Sequence, residues 1–455
     1  MKEKFFDDFQ ESSKKSWEAQ ALKDLKGKNF EETLIWNTPE GIRVQPYYAA
    51  EDLTDLNLTE IQQAQRNKKN ILWQNRPTIE YTDEKTTNNL VINALQNGAD
   101  AITIDFTTVD LTQIDFARLL DKIKLADTPV FFQTKHELAL LGALQKHIHY
   151  QPKGGLMYNP LENYFKGETS IEAQTWESTK NLFLATASYP SFNVIQISSE
   201  VFHNAGATAV QELAFTLASA TTYLDKLTAS GLPVEQIIAK IEFSVAIGTN
   251  YFMEIAKLRS LRFLWQKILE AYQSESISCQ INAKTSWFYD SALDPHTNML
   301  RATTEAMAAI IGGCDSLTTH AYNAVSGNEY SEMGERIARN ISTILKEESY
   351  LGKSQDVSAG SYFIEHLTAD LSHKVWDLFL ETEQKGGIIQ AFEEGFVKKM
   401  LDKAYQEKIQ QLHHGKIMVG VNKFIAEKES PQKMPDKPAE NLHFLNNHRI
   451  SEIFE

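Results

Sequence analysis

From Pro77 onward, short runs rich in β-branched and aromatic residues alternate with longer stretches in which apolar residues recur at helical spacing. The first pattern suits a buried strand, the second an amphipathic helix. The strand candidates are TIEYT at Thr78, AITIDF at Ala101, PVFFQ at Pro129, GLMY at Gly155, VIQIS at Val194, KIEFSVAI at Lys240, SISCQINA at Ser276 and SLTTH at Ser316. Each precedes a helical pattern, with starts predicted near Glu84, Asp110, Lys135, Ser170, Asn204, Asn250, Thr297 and Ser331. Several starts lie at or behind an Asn, Asp, Ser or Thr, whose side chain can accept from the free N–H groups of a first turn. Eight strand–helix pairs in succession predict an α/β chain folded as a (β/α)8 TIM barrel. An open, doubly wound sheet is the alternative, because alternation alone does not show closure.

The flanks read differently. Residues 1–70 form an N-terminal arm and linker, 71–366 the barrel, and 367–455 a helical extension with a C-terminal tail. The arm spreads Phe5, Phe6, Trp17, Leu22, Leu25, Phe30 and Trp36 over a segment too short for a core of its own, so it is expected to lie on something else. Leu367 to His413 reads as two helices broken near KGGI at Lys385, and Pro431, Pro435 and Pro438 mark an extended tail.

Strand periodicity assigns directions. In the fifth strand Ile195 and Ile197 should face the helices, while Val194, Gln196 and Ser198 point at the barrel axis. In the seventh, Gln280, Asn282 and Lys284 share the inward row. Gly312 and Gly313 sit at a predicted helix C-terminus, where left-handed backbone is wanted. His413 and His414 read as a surface pair, since adjacent helical residues point apart.

Charge and composition narrow the functions. A net charge of −15 leaves nothing to offset phosphate repulsion, which excludes a nucleic-acid surface. The two cysteines, Cys279 and Cys314, have no metal-ligand spacing and read as reduced core residues, so a cytoplasmic protein is expected. The N-terminus is charged throughout, without an apolar signal core, and no run of about 18 apolar residues predicts a membrane span. Gly-rich phosphate loops, His-Glu-x-x-His and nucleophile elbows are all missing.

The blocks FNVIQISSEVFHNAGATAVQELAFTLA, AIGTNYFMEIAKLRSLRFLW, DPHTNMLRATTEAMAAIIGGCDSL and RIARNISTILKEESYLGKSQDVSAGSYFIEHLT strongly resemble the cobalamin-dependent methylmalonyl-CoA mutase family. The resemblance runs from LKGKNFEETLIW at Leu25 to GKIMVGVNKF at Gly415. It implies a barrel in which, in catalytic members, acyl-CoA threads the axis and adenosylcobalamin on a separate C-terminal domain caps the mouth; the protein's part is to position and sequester a radical rearrangement.

Against that family pattern this chain departs where function concentrates. The active pattern Ser-Gly-Tyr-His, whose His contacts the thioester carbonyl, corresponds to Ser198, Ser199, Glu200 and Val201, and valine has no donor. His203 reads as a surface or loop histidine rather than a shifted substitute. The first-strand pattern Thr-Ile-Arg-Gln-Tyr becomes Thr78, Ile79, Glu80, Tyr81 and Thr82, so an acid replaces the substrate-holding Arg and Thr82 replaces the Tyr. Near the fourth strand Glu168 falls where the family has Arg, unless it is simply an exposed loop residue, and Tyr158 falls where it has Gln. Acids in place of arginines repel a carboxylate. Where catalytic members keep small hydroxyl residues around the pantetheine, this chain has Val194 and Gln196, with Asn282 and Lys284 opposite. The cobalt-ligating Asp-x-His-x-x-Gly motif does not occur.

The resemblance therefore implies a barrel with no catalytic, cofactor-binding or metal-binding residues of its own and no cobalamin-binding domain. Members of the family occur as heterodimers in which the smaller chain has such a barrel. The expectation is a small, non-catalytic subunit that stabilises a large catalytic partner in the interconversion of succinyl-CoA and (R)-methylmalonyl-CoA, with adenosylcobalamin on the partner. Neither nucleic acid nor membrane is expected as a partner. Two other readings stand beside it: an active acyl-CoA mutase barrel served by a separate cobalamin-binding chain, and a CoA-sensing binding module.

Overall fold

The computed structural model describes residues 13–274, 278–326, 331–425 and 443–455. Eight parallel strands surround one axis. They are β1, in two pieces, Gln74–Asn75 and Thr78–Glu80; β2, Ile102–Asp105; β3, Val130–Gln133; β4, Gly154–Tyr158; β5, Phe192–Ser198; β6, Ile241–Ile247; β7, Ile281–Thr285; and β8, Ser316–Thr318. The first piece of β1 pairs with β8 and the second with β2. Between them the Arg76 N–H donates to Leu317 O at 2.9 Å, and Pro77 O accepts from the Thr103 N–H at 2.9 Å. One segment thus has neighbours on both sides and the ring is closed, which replaces the open-sheet alternative.

Sequence reading found only the second half of β1. Gln74–Asn75 carries no β-branched signal, and Pro77, which has no N–H to give, looks like a boundary rather than a strand interior. Ser276, the expected start of the seventh strand, lies outside the described residues, and β7 is regular from Ile281.

The helical layer follows from local capping and from what each helix must hide. Helix α1 (Ala209–Ala229) opens with a capping box: the Thr208 N–H donates to Gln211 Oε1 at 3.0 Å and the Gln211 N–H to Thr208 Oγ1 at 3.4 Å. It is buried on nearly every side. Such a helix needs cover outside as well as inside, and α4 (Tyr362–Gln384) supplies it, packing on both α1 and α2 (Tyr251–Ala271). Helix α3 (Pro295–Ile311) follows β7, and α5 (Phe396–His413) closes the extension. Residues 366 and 367 both lie inside α4, so this helix belongs to the barrel wall.

Two helix expectations are corrected. After β2 only a single turn, Leu111–Gln113, and four residues, Phe116–Leu119, are helical. Asp110 accepts from the Thr112 N–H, and Asp115 accepts from the Ala117 and Arg118 N–H groups; each restarts the chain before a longer helix can grow. Leu367 to His413 holds three α-helices rather than two, because Gly395 (φ 75°) adds a break to the one at Gly386 (φ 91°) and Gly387 (φ 84°). Of the glycine pair after α3, only Gly313 is left-handed (φ 89°); Gly312 is helical, and a Cβ there would stand 3.1 Å from Leu258 Cβ.

The arm helices Lys14–Asp24 and Phe30–Leu34 bury no residue fully. Trp17 stacks on Tyr47 at 5.1 Å, while Leu22 and Trp36 remain about half exposed. Phe5, Phe6, Pro431, Pro435 and Pro438 lie outside the described residues. Among the described residues no helix is long and apolar enough to cross a membrane. Cys279 and Cys314 are buried and unpaired.

Candidate functional site

The barrel axis is filled by side chains at successive levels. At the N-terminal end Asn193 Nδ2 donates to Gln280 Oε1 at 2.8 Å, above a cavity of about 340 Å³ that Lys69, Phe131 and Lys153 help to line. In the middle, fully buried Arg76 gives Nη1 to Glu242 Oε1 and Oε2 at 2.8 and 3.0 Å and Nε to Thr103 Oγ1 at 3.0 Å. Its guanidinium carbon stands 3.4 Å from the centre of the Phe131 ring. Gln196 Nε2 adds a 2.6 Å bond to Glu242 Oε2. Beside them Asn282 Oδ1 accepts from Ser316 Oγ at 2.7 Å.

One strand direction is corrected here. Asn193 reaches the axis, whereas Val194 joins the apolar cluster with Ile195 and Ile197. Both the Val194 and Ile195 N–H groups donate to Lys240 O, at 2.9 and 3.2 Å, which marks a bulge. The extra residue breaks strict alternation, so the two-residue period holds only from Gln196 onward.

At the C-terminal mouth, Glu200 Oε1 accepts from Lys284 Nζ at 2.8 Å and from Ser244 Oγ at 3.0 Å. Burial opposes ionisation of Glu200, but Lys284, His320 and Ser244 outweigh it and hold the carboxyl at about 2. Burial pulls His320 below its ordinary value, and its Nδ1–H donates to Thr285 O at 2.7 Å. Val201, next along the short helix Glu200–Asn204, is 2% exposed inside the apolar core. Nothing at that position can donate to a substrate oxygen.

The other expected positions stand apart from this cluster. Glu80 and Thr82 are exposed at the end of β1, and Glu168 is exposed after the helix Pro160–Phe165. Tyr158 is half-buried, its hydroxyl 3.2 Å from Thr179 Oγ1, and burial pushes it up to about 12. Lys284 and Glu200 are thus brought together, and Asn282 lies one strand step deeper. His413 and His414 are exposed.

A second cluster was missed by sequence reasoning. His203 is 5% exposed, not a surface residue. Its Nδ1 lies 3.0 Å from Glu212 Oε2 and its Nε2 2.7 Å from Ser286 Oγ. Lys257 Nζ reaches Glu212 Oε2 at 2.9 Å and Glu254 Oε2 at 2.6 Å, and Ser199 Oγ donates to Glu212 Oε1 at 2.6 Å. Burial opposes the charge on Glu212, but Lys257 and His203 overcome it and keep the carboxyl at about 2. Burial raises Glu254. The signal was Lys257 itself, set with Glu254, Arg259 and Arg262 among the apolar residues of a long helix; α2 is buried on nearly every face, so a lysine there must have partners. The same logic covers Arg259, 2.7 Å from Glu365, and Arg262, 2.6 Å from Asp315.

Over this C-terminal face the chain returns. The Leu445, His448 and Ile450 N–H groups donate to Phe165, Asn204 and Phe288 carbonyls at 2.9, 2.8 and 2.9 Å. The His448 ring stacks on Tyr405 at 4.0 Å. The Glu455 carboxylate accepts from the Ala292 N–H at 2.8 Å and pairs with Arg449 at 2.5 Å.

A closed (β/α)8 barrel whose mouth is filled by ion-paired and apolar side chains defines the class of the protein. The sequence model of the family described as methylmalonyl-CoA mutase matches residues 108–453. The chain is 33% identical to the methylmalonyl-CoA mutase small subunit of Porphyromonas gingivalis, covering 93% of this chain and 71% of that one. It is 29% identical to the methylmalonyl-CoA mutase of Rhizobium meliloti (92% and 65%) and 31% identical to the mitochondrial enzyme of Bos taurus (91% and 61%). The chain belongs to the methylmalonyl-CoA mutase family. It spans about two thirds of the length of these relatives.

Proposed function

We propose that this chain is the small, non-catalytic subunit of a heterodimeric mutase that interconverts succinyl-CoA and (R)-methylmalonyl-CoA, and that it stabilises the larger, catalytic chain. One observation carries the reading: Arg76, Glu242 and Gln196 fill the axis along which an acyl-CoA arm would thread. Val201 adds to it by offering a thioester oxygen no donor, and Glu80 and Glu200 give a substrate carboxylate nothing to bind. Adenosylcobalamin belongs to the partner in this reading. The residues present do not fit a capping cofactor, since Leu445, His448 and Ile450 are bonded onto the face where it would sit.

Co-purification from the source cell tests the proposal. A mutase chain with a cobalamin domain, recovered in equal amount, is the expected partner; recovery of this chain alone removes the subunit reading.

A CoA-sensing barrel is favoured by one feature, the cavity of about 340 Å³ at the N-terminal end of the axis, with Lys69 and Lys153 on its wall. Phe131 and Gln280 help to line the same cavity. Calorimetry of the chain with succinyl-CoA separates the two readings, since a sensor binds at micromolar concentration and the subunit does not.

A further inference from the structure

Away from the axis, a cavity of about 630 Å³ opens where the arm, the barrel and the extension meet. That volume suits a small molecule. Trp36, Met253, Leu412, Ile417, Met418 and Ile450 give it apolar walls. Apart from Lys416, which is exposed at the rim and bonds Gln411, two charged groups on the lining have no ion-pair partner among the described residues, and they are opposite in sign.

The first is Lys408 on α5. Its Nζ donates to Gly206 O at 2.8 Å and to Ala207 O at 2.5 Å. An ammonium has three donors; among the described residues only the Phe288 ring, its centroid 5.5 Å from Nζ, stands near besides these two carbonyls, so no oxygen takes the third. Lys240 makes the contrast: its Nζ donates to Thr186, Tyr189 and Phe192 carbonyls at 2.9, 2.8 and 3.1 Å and is complete. Burial pulls Lys408 down to about 8, and Glu40 and Glu212 only partly restore it. The second group is Glu40 on the arm, whose Oε2 is buried with no hydrogen-bond partner. The remaining charges around the cavity are accounted for. Glu212 and Glu254 share Lys257, His203 bonds Glu212 and Ser286, and Lys416 is exposed at the rim.

We propose that this cavity binds a small zwitterion with an apolar side chain, an apolar α-amino acid, with its carboxylate on Lys408, its ammonium on Glu40 and its side chain against the apolar wall. A simple anion would satisfy Lys408 and meet Glu40 as a like charge; a simple cation would do the reverse. Only a ligand carrying both charges relieves both groups, and buried charge without a partner is costly. Because its walls come from all three parts of the chain, an occupied cavity holds the arm and the extension to the barrel. The site is independent of the subunit reading, since none of its groups lies on the axis.

The test is calorimetry of the full chain with L-phenylalanine, hydrocinnamate and phenethylamine, three ligands that share a ring and chain and differ in charge. L-phenylalanine is expected to bind saturably, with each analogue at least about tenfold weaker. Lys408→Met should erase the preference for L-phenylalanine over phenethylamine, and Glu40→Gln the preference over hydrocinnamate. The proposal is overturned by an absence of saturable L-phenylalanine binding at millimolar concentration, by an analogue that binds as tightly, or by variants that leave the order unchanged. If a variant does not fold, the wild-type series decides alone.

Discussion

Arg76 and Glu242 meet in the centre of the barrel, one guanidinium nitrogen 2.8 and 3.0 Å from the two carboxylate oxygens, with 0% and 6% of their side chains exposed. The pair is enclosed by Phe131, Thr103 and Gln196, so each charge depends on the other.

Arg76→Met should therefore destabilise the chain by about 3–5 kcal/mol, because it strands a buried carboxylate. Adding Glu242→Met should restore much of that loss, as paired apolar residues can replace a buried ion pair. Urea unfolding of the two variants checks this; a double variant no more stable than the single one contradicts it.

Acid should weaken the barrel mouth. The Glu200 carboxyl falls from its ordinary 4.5 to about 2 in the folded chain, because Lys284 and His320 outweigh burial. A lowered value means that its contribution is whole above about pH 4.5 and disappears as pH falls toward about 2. The amount is on the order of 2 kcal/mol, Glu200 being partly exposed. Melting temperature against pH should show the decline, and Lys284→Met should flatten it while lowering stability at pH 7.

Val201→His should not create activity. The imidazole would enter an apolar site 2% exposed, at a cost of about 1–3 kcal/mol for an unpaired polar group. The axis would remain filled. Assay with adenosylcobalamin and methylmalonyl-CoA, alone and with a partner whose own site is disabled, should give no turnover; turnover in the paired assay contradicts the non-catalytic reading.

Removing residues 1–48 should weaken binding to the catalytic chain by at least about tenfold. Leu22 and Trp36 leave apolar surface uncovered on a segment whose two helices, Lys14–Asp24 and Phe30–Leu34, bury no residue fully, and such surface marks contact sites. Sedimentation of the mixed chains measures it, and unchanged affinity would make the arm a cover for the barrel alone.

The β-branched runs revealed the strands because parallel strands, buried on both faces, need continuous apolar sequence. They could not reveal Arg76, which sits before a proline in a polar stretch and becomes core only because β8 arrives beside it. Val201 and Glu200 were placed by resemblance, yet the Lys284 contact depends on strand register, which spacing alone does not give. The inward row failed at Val194, where a one-residue bulge is silent in the sequence. His203 looked exposed because it follows a strand end; the return of Ile450 onto Phe288 and the packing of α2 enclose it, and both are distant in sequence.

The split β1 has a consequence for how the chain is made. Thr318 Oγ1 donates to Arg76 O at 2.8 Å across 242 residues of sequence, so the first strand to leave the ribosome waits for the last before its edge is paired. Until then the growing sheet carries two open edges, and unpaired edges recruit other strands. Pro77 does not blunt that edge, because its carbonyl, and with it the side of its missing N–H, faces β2. The waiting side of β1 keeps its Gln74 and Arg76 donors, so the seam stays open to a wrong neighbour until β8 is made.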